Sequence, residues 1–286
     1  MRFQWIDQHG KEFEVRMMCR MLQVSRSGYY AWRDRPVSGR RARQEQLTER
    51  IREIHVGSRG TYGSPRVHAE LLDRDVKVCL NTVARLMKQA QIRAKTRRRF
   101  VVRTTDSTHA YDLFPNRLDR RFDAQRPNQK WCCDITYVPT QEGFLYLAAV
   151  MDLYSRKIVG WSMADHLRTE LCLNALEMAL AARTPDAGLL HHSDRGVQYA
   201  SDEYRHRLQS SGIQISMSRT GDCYDNAVME SFFHTLKIEL IYQQDYATQE
   251  QARQSIFEYI ECWYNRRRRH SAIGYQSPDA FEAASN

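Results

Sequence analysis

Residues 131–138 read WCCDITYV. Aromatic and β-branched residues favour a pleated, half-buried strand, and this stretch is rich in them. Asp134 stands in the middle, and a carboxylate among apolar strand residues costs free energy unless it is paired or metal-bound. The stretch therefore predicts a core strand that carries a functional acid. Working outward, Gln141-Glu-Gly143 is a turn signal and 144–151, FLYLAAVM, a second strand. Residues 157–163, KIVGWSM, form a third, so the three read as an antiparallel meander. A helix follows near 168–183, with Leu171, Ala175, Met178 and Ala179 at helical spacing. A short buried strand at 188–192 ends at Ser193-Asp194. Then come a helix near 201–211, a strand at 213–217, a loop at 218–224, and helices at 226–240 and 248–264. Strands and helices in this order predict one mixed α/β sheet flanked by helices.

Two more acids gain meaning beside Asp134. Asp194 lies just past a strand end, and Glu230 lies on the helix that follows the Gly221 loop. Carboxylates are the hard oxygen ligands that Mg²⁺ and Mn²⁺ prefer. Two such ions can activate an attacking oxygen and stabilise the leaving one in phosphoryl transfer. Any one of these acids alone reads equally well as a surface or salt-bridged group. His191 and His192 adjoin Asp194 and read as residues that shape the strand end. Lys237 follows Glu230 by seven residues, about two helical turns, and Asn226 precedes it by one, so both share its face.

The N-terminal half has another character. Residues 1–128 carry 28 Lys and Arg against 14 Asp and Glu, whereas residues 129–286 carry 15 against 20. A basic half without membrane features points to nucleic acid, and an acidic half can host a carboxylate metal site. Residues 15–33 read as two short helices with Ser25 as N-cap; the second mixes Arg26 and Arg33 with Tyr29, Tyr30 and Trp32. That mixture suits phosphate contact and base stacking, and equally an aromatic packing face. After the linker at 33–43, helical spacing recurs at 44–56, from Pro65 through Leu72, and beyond Asn81, which reads as the cap of a helix that carries Arg85. Three helices with a tight turn permit a helix-turn-helix reading. Residues 93–103, with Arg97, Arg98 and Arg99, form a basic arm, and 104–128 a linker. Arg266, Arg267, Arg268 and Arg269 open a basic C-terminal tail at 266–286. The domains expected are thus 1–40, 41–103, the core at 129–265, and the tail. No run of about 18 apolar residues is present and no signal peptide is evident, so the expected compartment is the cytoplasm. Seven irregularly spaced cysteines without a C-x-x-C read as reduced core or near-core thiols.

WCCDIT at 131–136, HSDRGVQY at 192–199 and NAVMESFFHTLKIE at 226–239 resemble the three signature blocks of retroviral-integrase-type DDE transposases. Thirty-five residues separate Asp194 from Glu230, the spacing of the D,D-35-E class. GDCYDN before the glutamate helix, YNRRRRHSAIGYQSP at 264–278, and the N-terminal MLQVSRSGYYAW, TYGSPRV and NTVARLMK are similar to the insertion-sequence group called the IS-three family, in its second reading frame. This resemblance spans nearly the whole chain. It implies an RNase H-like core, a mixed five-stranded sheet flanked by helices, preceded by small all-α segments of helix-turn-helix type. It implies Asp134, Asp194 and Glu230 as catalytic ligands for two Mg²⁺ or Mn²⁺ ions, and a phosphate contact at Lys237. Arg195 and Asn226 are further candidate DNA contacts. The expected activity is cleavage and transfer of double-stranded DNA at insertion-sequence ends, by a homo-oligomer on DNA at the bacterial nucleoid. A DNA-binding module without catalysis and an RNase H-type nuclease are the competing readings; the spaced acids oppose the first, and the 35-residue spacing with the basic helices opposes the second. In this family a first-frame polypeptide supplies a helix-turn-helix and leucine zipper, and no sustained heptads occur here. Retroviral integrases carry a His-His-Cys-Cys zinc domain; Cys19 and Cys79 stand alone, so no zinc is expected.

Overall fold

The computed structural model describes residues 1–36, 38–95, 113–219 and 223–284. Three short helices open the chain: α1 (Arg2–Gln8), α2 (Val15–Met21) and α3 (Arg26–Arg33). Ser25 caps α3, its Oγ accepting from the Gly28 amide at 3.0 Å. Ile6, Met18, Cys19 and Tyr29 close a small core of their own, with the Tyr29 hydroxyl donating to Asp7. Phe3 and Trp32 flank Tyr29, so the aromatics of α3 serve packing first.

Next come α4 (Gly39–Gly57), α5 (Ser64–Asp73) and α6 (Leu80–Gln89). Pro65 occupies the first turn of α5, where its missing N–H costs nothing. Asn81 does not cap α6: Cys79 takes that position and its Sγ lies 3.1 Å from Thr82 Oγ1.

The sheet is built from β1 (Lys130–Thr140), β2 (Gly143–Asp152) and β3 (Ile158–Ala164), then β4 (Leu190–Ser193) and β5 (Gln214–Met217). Between them and beyond run α7 (Thr169–Arg183), α8 (Val197–Ala200), α9 (Asp202–Ser210), α10 (Ala227–Glu239), α11 (Gln249–Phe257) and α12 (Pro278–Ala283). The strand order is β3-β2-β1-β4-β5. The first three strands pair antiparallel, and β4 and β5 run parallel to β1. Thr140 pairs with Gly143 across a two-residue hairpin loop, and Gly143 takes the positive φ of 115°. The helix expected at 248–264 is α11 continued by a π-helical stretch, Glu258–Tyr264.

Each face of the sheet has its own apolar layer. Trp131, Cys133, Ala148 and Val150 pack with Leu171, Cys172 and Leu176 of α7. The helix comes so close that a Cβ on Gly160 would lie 2.2 Å from the Ala175 carbonyl oxygen. On the other face Leu145, Leu147 and Met151 pack with Phe232, Phe233 and Leu236 of α10 and Ile256 of α11. That second core runs on into Ile51, Val67, Leu71 and Leu86, so α4–α6 are docked on the sheet domain.

Two expected segment boundaries change. Within the supposed linker, Leu118 is buried, and the amides of Arg117 and Leu118 donate to Ser216 Oγ on β5 at 2.9 and 3.2 Å. The supposed basic tail folds back as well. Glu282 of α12 accepts from Ser155 and Arg183 at 2.6 and 2.8 Å, and Asp279 pairs with Lys157 at 2.6 Å. Arg268 is buried and forms a bidentate ion pair with Glu239, while Arg269 pairs with Glu70 of α5. These two arginines hold the molecule together and are not an exposed phosphate-binding patch; apolar neighbours and carboxylates on α5 and α10 draw the segment inward. No helix of the described residues is long and apolar enough to cross a membrane.

Candidate active site

The centre of the site is a register. Strand β1 pairs with β4 through Lys130 and Leu190, Trp131 and His191, and Cys132 and His192. Carried two residues further, that register sets Asp134 level with Asp194. Adjacent parallel strands lie about 5 Å apart, so the two acids come near one another where β4 ends and β1 continues, and the Asp194 charge acts on Asp134. Gly196 leaves room for this: its amide donates to Asp194 Oδ1 at 2.9 Å, and a Cβ there would crowd the same oxygen at 3.0 Å.

The histidines before Asp194 are props. His191 Nε2 lies 2.8 Å from Cys133 Sγ and 3.0 Å from the Tyr204 hydroxyl, and His192 lies between Ser216 and Ser218 hydroxyls at 2.8 and 3.1 Å. Burial pushes His191 down to about 3 and His192 down to about 4, so both are neutral at physiological pH. Arg195 is also anchored, its Nε donating to the Ser218 carbonyl.

Helix α10, packed against β1, brings the third acid. Asn226 at its cap is buried, and its Nδ2 donates to the Cys133 carbonyl at 3.2 Å, tying the helix start to the residue before Asp134. Its side chain therefore positions the helix, and burial keeps it from direct DNA contact. Asp225 is fully buried and fixes the preceding loop, accepting from the Arg219 amide at 2.8 Å and Arg120 Nε at 3.1 Å. Burial alone would raise the Asp225 carboxyl; these donors hold it below the usual carboxylate value. Asp225 and Arg120 escaped sequence reasoning because their partnership spans 105 positions. The signal available was the second acid of GDCYDN.

The electrostatics follow from this geometry. Burial pushes the Asp134 carboxyl well above its ordinary value, and the charges of Asp194 and Glu230 push it further. The Ile135 amide and Lys237 pull the other way. Glu230 is exposed as a residue, yet protein around its carboxyl raises it too. Burial lowers Lys237, while Asp134 favours its charged form; the Nζ rests 4.6 Å from the centre of the Tyr137 ring. Among the described residues no three His, Cys, Asp or Glu side chains are drawn together tightly enough to form a finished metal cage. Like charges keep apart until a cation offsets them, and the strained Asp134 carboxyl fits a divalent ion at this place.

The remaining predicted contacts lie away from this centre. Arg26 is exposed at the start of α3; exposed Arg33 bonds to Asp34 and stacks 4.8 Å from the Tyr30 ring centre. Arg85 is exposed on α6 and donates to Gln89. Arg266 and Arg267 are exposed, unlike Arg268 and Arg269. Arg97, Arg98 and Arg99 lie outside the described residues.

Residues 124–223 and 211–278 match models of an integrase core domain, and residues 42–100 match an HTH-like domain. The chain is 41% identical over 284 residues to the transposase InsF for insertion sequence IS3A of Escherichia coli (strain K12), covering 99% of this chain and 98% of that one. This chain belongs to the IS3 family of insertion-sequence transposases. The transposase is also 46% identical over 264 residues to the insertion element IS600 uncharacterized 31 kDa protein of Shigella sonnei, covering 92% of this chain and 97% of that one. A more remote structural likeness is the HTLV-2 integrase catalytic core domain in complex with magnesium, at 15% identity and TM-score 0.42, covering 55% of the transposase and 98% of that chain. The transposase is an enzyme with a DDE-type, RNase H-like integrase core, acting in DNA cleavage and strand transfer.

Proposed function

We propose that Asp134, Asp194 and Glu230 together hold two divalent ions, Mg²⁺ or Mn²⁺, and that this site cuts and joins double-stranded DNA at insertion-sequence ends. The observation that supports this reading is the β1–β4 register, which, carried two residues past Cys132 and His192, brings Asp134 level with Asp194, on the side of β1 where the helix bearing Glu230 packs. Bound ions supply Lewis acidity toward the reacting phosphate and its attacking and leaving oxygens. The protein's own contribution is placement. Asp134 presents its carboxylate from strand β1 and Asp194 from just past the end of β4, and Asn226 fixes the helix that presents Glu230. Lys237, preset against Tyr137, donates to a non-bridging oxygen of the target phosphodiester. Water first attacks a phosphodiester at the element end, breaking its P–O3′ bond to leave a 5′-phosphate and a free 3′-hydroxyl; that hydroxyl then attacks a second phosphodiester and displaces the 3′-oxygen of the strand it joins.

Arg195, Arg26, Arg33, Arg85, Arg97, Arg98, Arg99, Arg266 and Arg267 are assigned to the phosphate backbone, which basic side chains bind irrespective of sequence. Two element ends must be joined at one target, so the working form is an oligomer on DNA at the nucleoid. The first-frame helix-turn-helix and leucine-zipper polypeptide is the expected partner, and zinc has no part in the reading.

Calorimetric titration with Mn²⁺ tests the ligand set. The transposase should bind two ions, and Asp134→Asn and Glu230→Gln should each weaken binding by about tenfold or more. Unchanged isotherms in both variants would refute it.

A further inference from the structure

A cleft of about 300 Å³ opens where α5, α10 and the segment 264–272 meet. It is on α10 but not on the catalytic face. Its α10 lining is Ala227, Val228, Ser231, Phe232 and Thr235. At about 100° per residue, Glu230 and Lys237 point roughly a third of a turn away from these positions.

The lining is cationic. Arg66 of α5, Arg156 from the turn after β2, and Arg268 all line the cleft, with Ser231, Thr235 and Ser271, and among the described residues no carboxylate lines it. Arg268 forms a close ion pair with Glu239, whereas Arg66 and Arg156 feel carboxylates only at longer range and form no ion pair among the described residues. Arg66 spends its Nε on the Arg269 carbonyl, at 2.9 Å. Arg156 Nε is buried and has no hydrogen-bond partner among the described residues. The carboxylate of nearby Asp152 is committed to the amides of Asn128 and Tyr154, at 2.7 and 2.9 Å. Burial lowers both Arg66 and Arg156, and His270 is held far below its ordinary value by burial and by the surrounding arginines. Arg156 also holds a φ of 63°, a backbone region where glycine or asparagine sits more easily. Two half-buried guanidiniums that face one cleft without an ion-pairing partner among the described residues are costly unless an anion completes them.

We propose that this cleft seats one phosphate oxyanion, a phosphodiester of the bound DNA backbone, between Arg66 and Arg156. Guanidinium forks match phosphate oxygens, and the three hydroxyls supply further donors. The site joins the helical domain to the glutamate helix, so a strand held there is anchored to both. The DNA source of the phosphate rests on the proposed function; the presence of an oxyanion site does not.

Two measurements test it. The first is the salt dependence of duplex binding for the wild type, Arg66→Gln, Arg156→Gln and the double variant, with Arg156→Lys as the charge-keeping control. One shared phosphate predicts that each Gln variant, and the double variant alike, lowers the slope of log K against log salt by about one. Arg156→Lys should keep it. Unchanged slopes would overturn the assignment, and so would losses that add in the double variant, because additive losses mean two separate surface contacts. The second is thermal unfolding without DNA, at rising inorganic phosphate and constant ionic strength. Wild type should gain in Tm and Arg156→Gln should not. Equal gains would remove the oxyanion site even if DNA binding is intact. A phosphate-dependent gain in the wild type with unaltered DNA slopes would overturn the DNA source alone.

Discussion

Asp134 sits between opposing demands: a strand that desolvates it, two acids that repel it, and one lysine that steadies it. Its raised carboxyl adds stability at low pH and loses it as pH rises through the folded value. The three buried imidazoles act in the opposite sense. His191 and His192, depressed to about 3 and about 4, and His270, depressed well below 6.5, stay neutral in the fold while the unfolded chain takes up protons. Their stability is complete above about pH 6.5 and declines as pH falls, on the order of 1 kcal/mol per pH unit for each group. An Asp134→Asn background removes the most strongly raised of the opposing carboxyls, and Glu230→Gln with Asp152→Asn removes the others. In that triple variant, the unfolding temperature should fall steadily from pH 6.5 to 5; a flat profile would show that these histidines protonate in the folded protein. Asp134→Asn alone should make the metal-free protein more stable at neutral pH and reduce the stabilising effect of Mn²⁺. Asp134 was legible in WCCDIT because an acid stands out in an apolar strand. The roles of His191 and His192 as props needed Cys133, Tyr204 and the two serines to be seen beside them.

At the scale of elements, the site depends on how α7 and α10 clamp the sheet. Gly160 admits α7 to the back of β3, and Gly160→Ala should cost at least about 1–3 kcal/mol in chemical denaturation, because the helix backbone itself blocks the methyl. Asn226 fixes α10 against β1. Asn226→Ala should cost about 1–3 kcal/mol and lower kcat more than it weakens DNA binding, since Glu230 shifts while the arginines stay in place. Loss of affinity with kcat unchanged would instead make Asn226 a DNA contact. The strands and long helices were readable from β-forming runs and helical spacing, and the parallel pairing that aligns Asp134 with Asp194 was not. Register between strands 60 residues apart is set by the hydrophobic layers on both faces, which only the folded chain assembles.

Across the whole molecule, one apolar core links α4–α6 to the sheet, and a buried ion pair guards the junction. Arg268 engages Glu239 with both carboxylate oxygens, and Tyr259 donates to Glu239 at 2.8 Å. Arg268→Ala would leave Glu239 buried and uncompensated, a loss of about 3–5 kcal/mol by denaturant titration. Arg266→Ala with Arg267→Ala should leave stability unchanged and lower the salt slope of DNA binding by about one to two. Four arginines in a row look alike in a sequence, since charge density does not reveal which one meets a carboxylate 29 residues away. The most direct test of the triad is cleavage and joining of labelled element-end DNA in Mg²⁺ or Mn²⁺, by wild type and by Glu230→Gln, with the first-frame polypeptide present. Metal-dependent products from the wild type, with none from a Glu230→Gln protein that still binds DNA, are the predicted result; joining by Glu230→Gln at the wild-type rate would contradict the assignment of the triad.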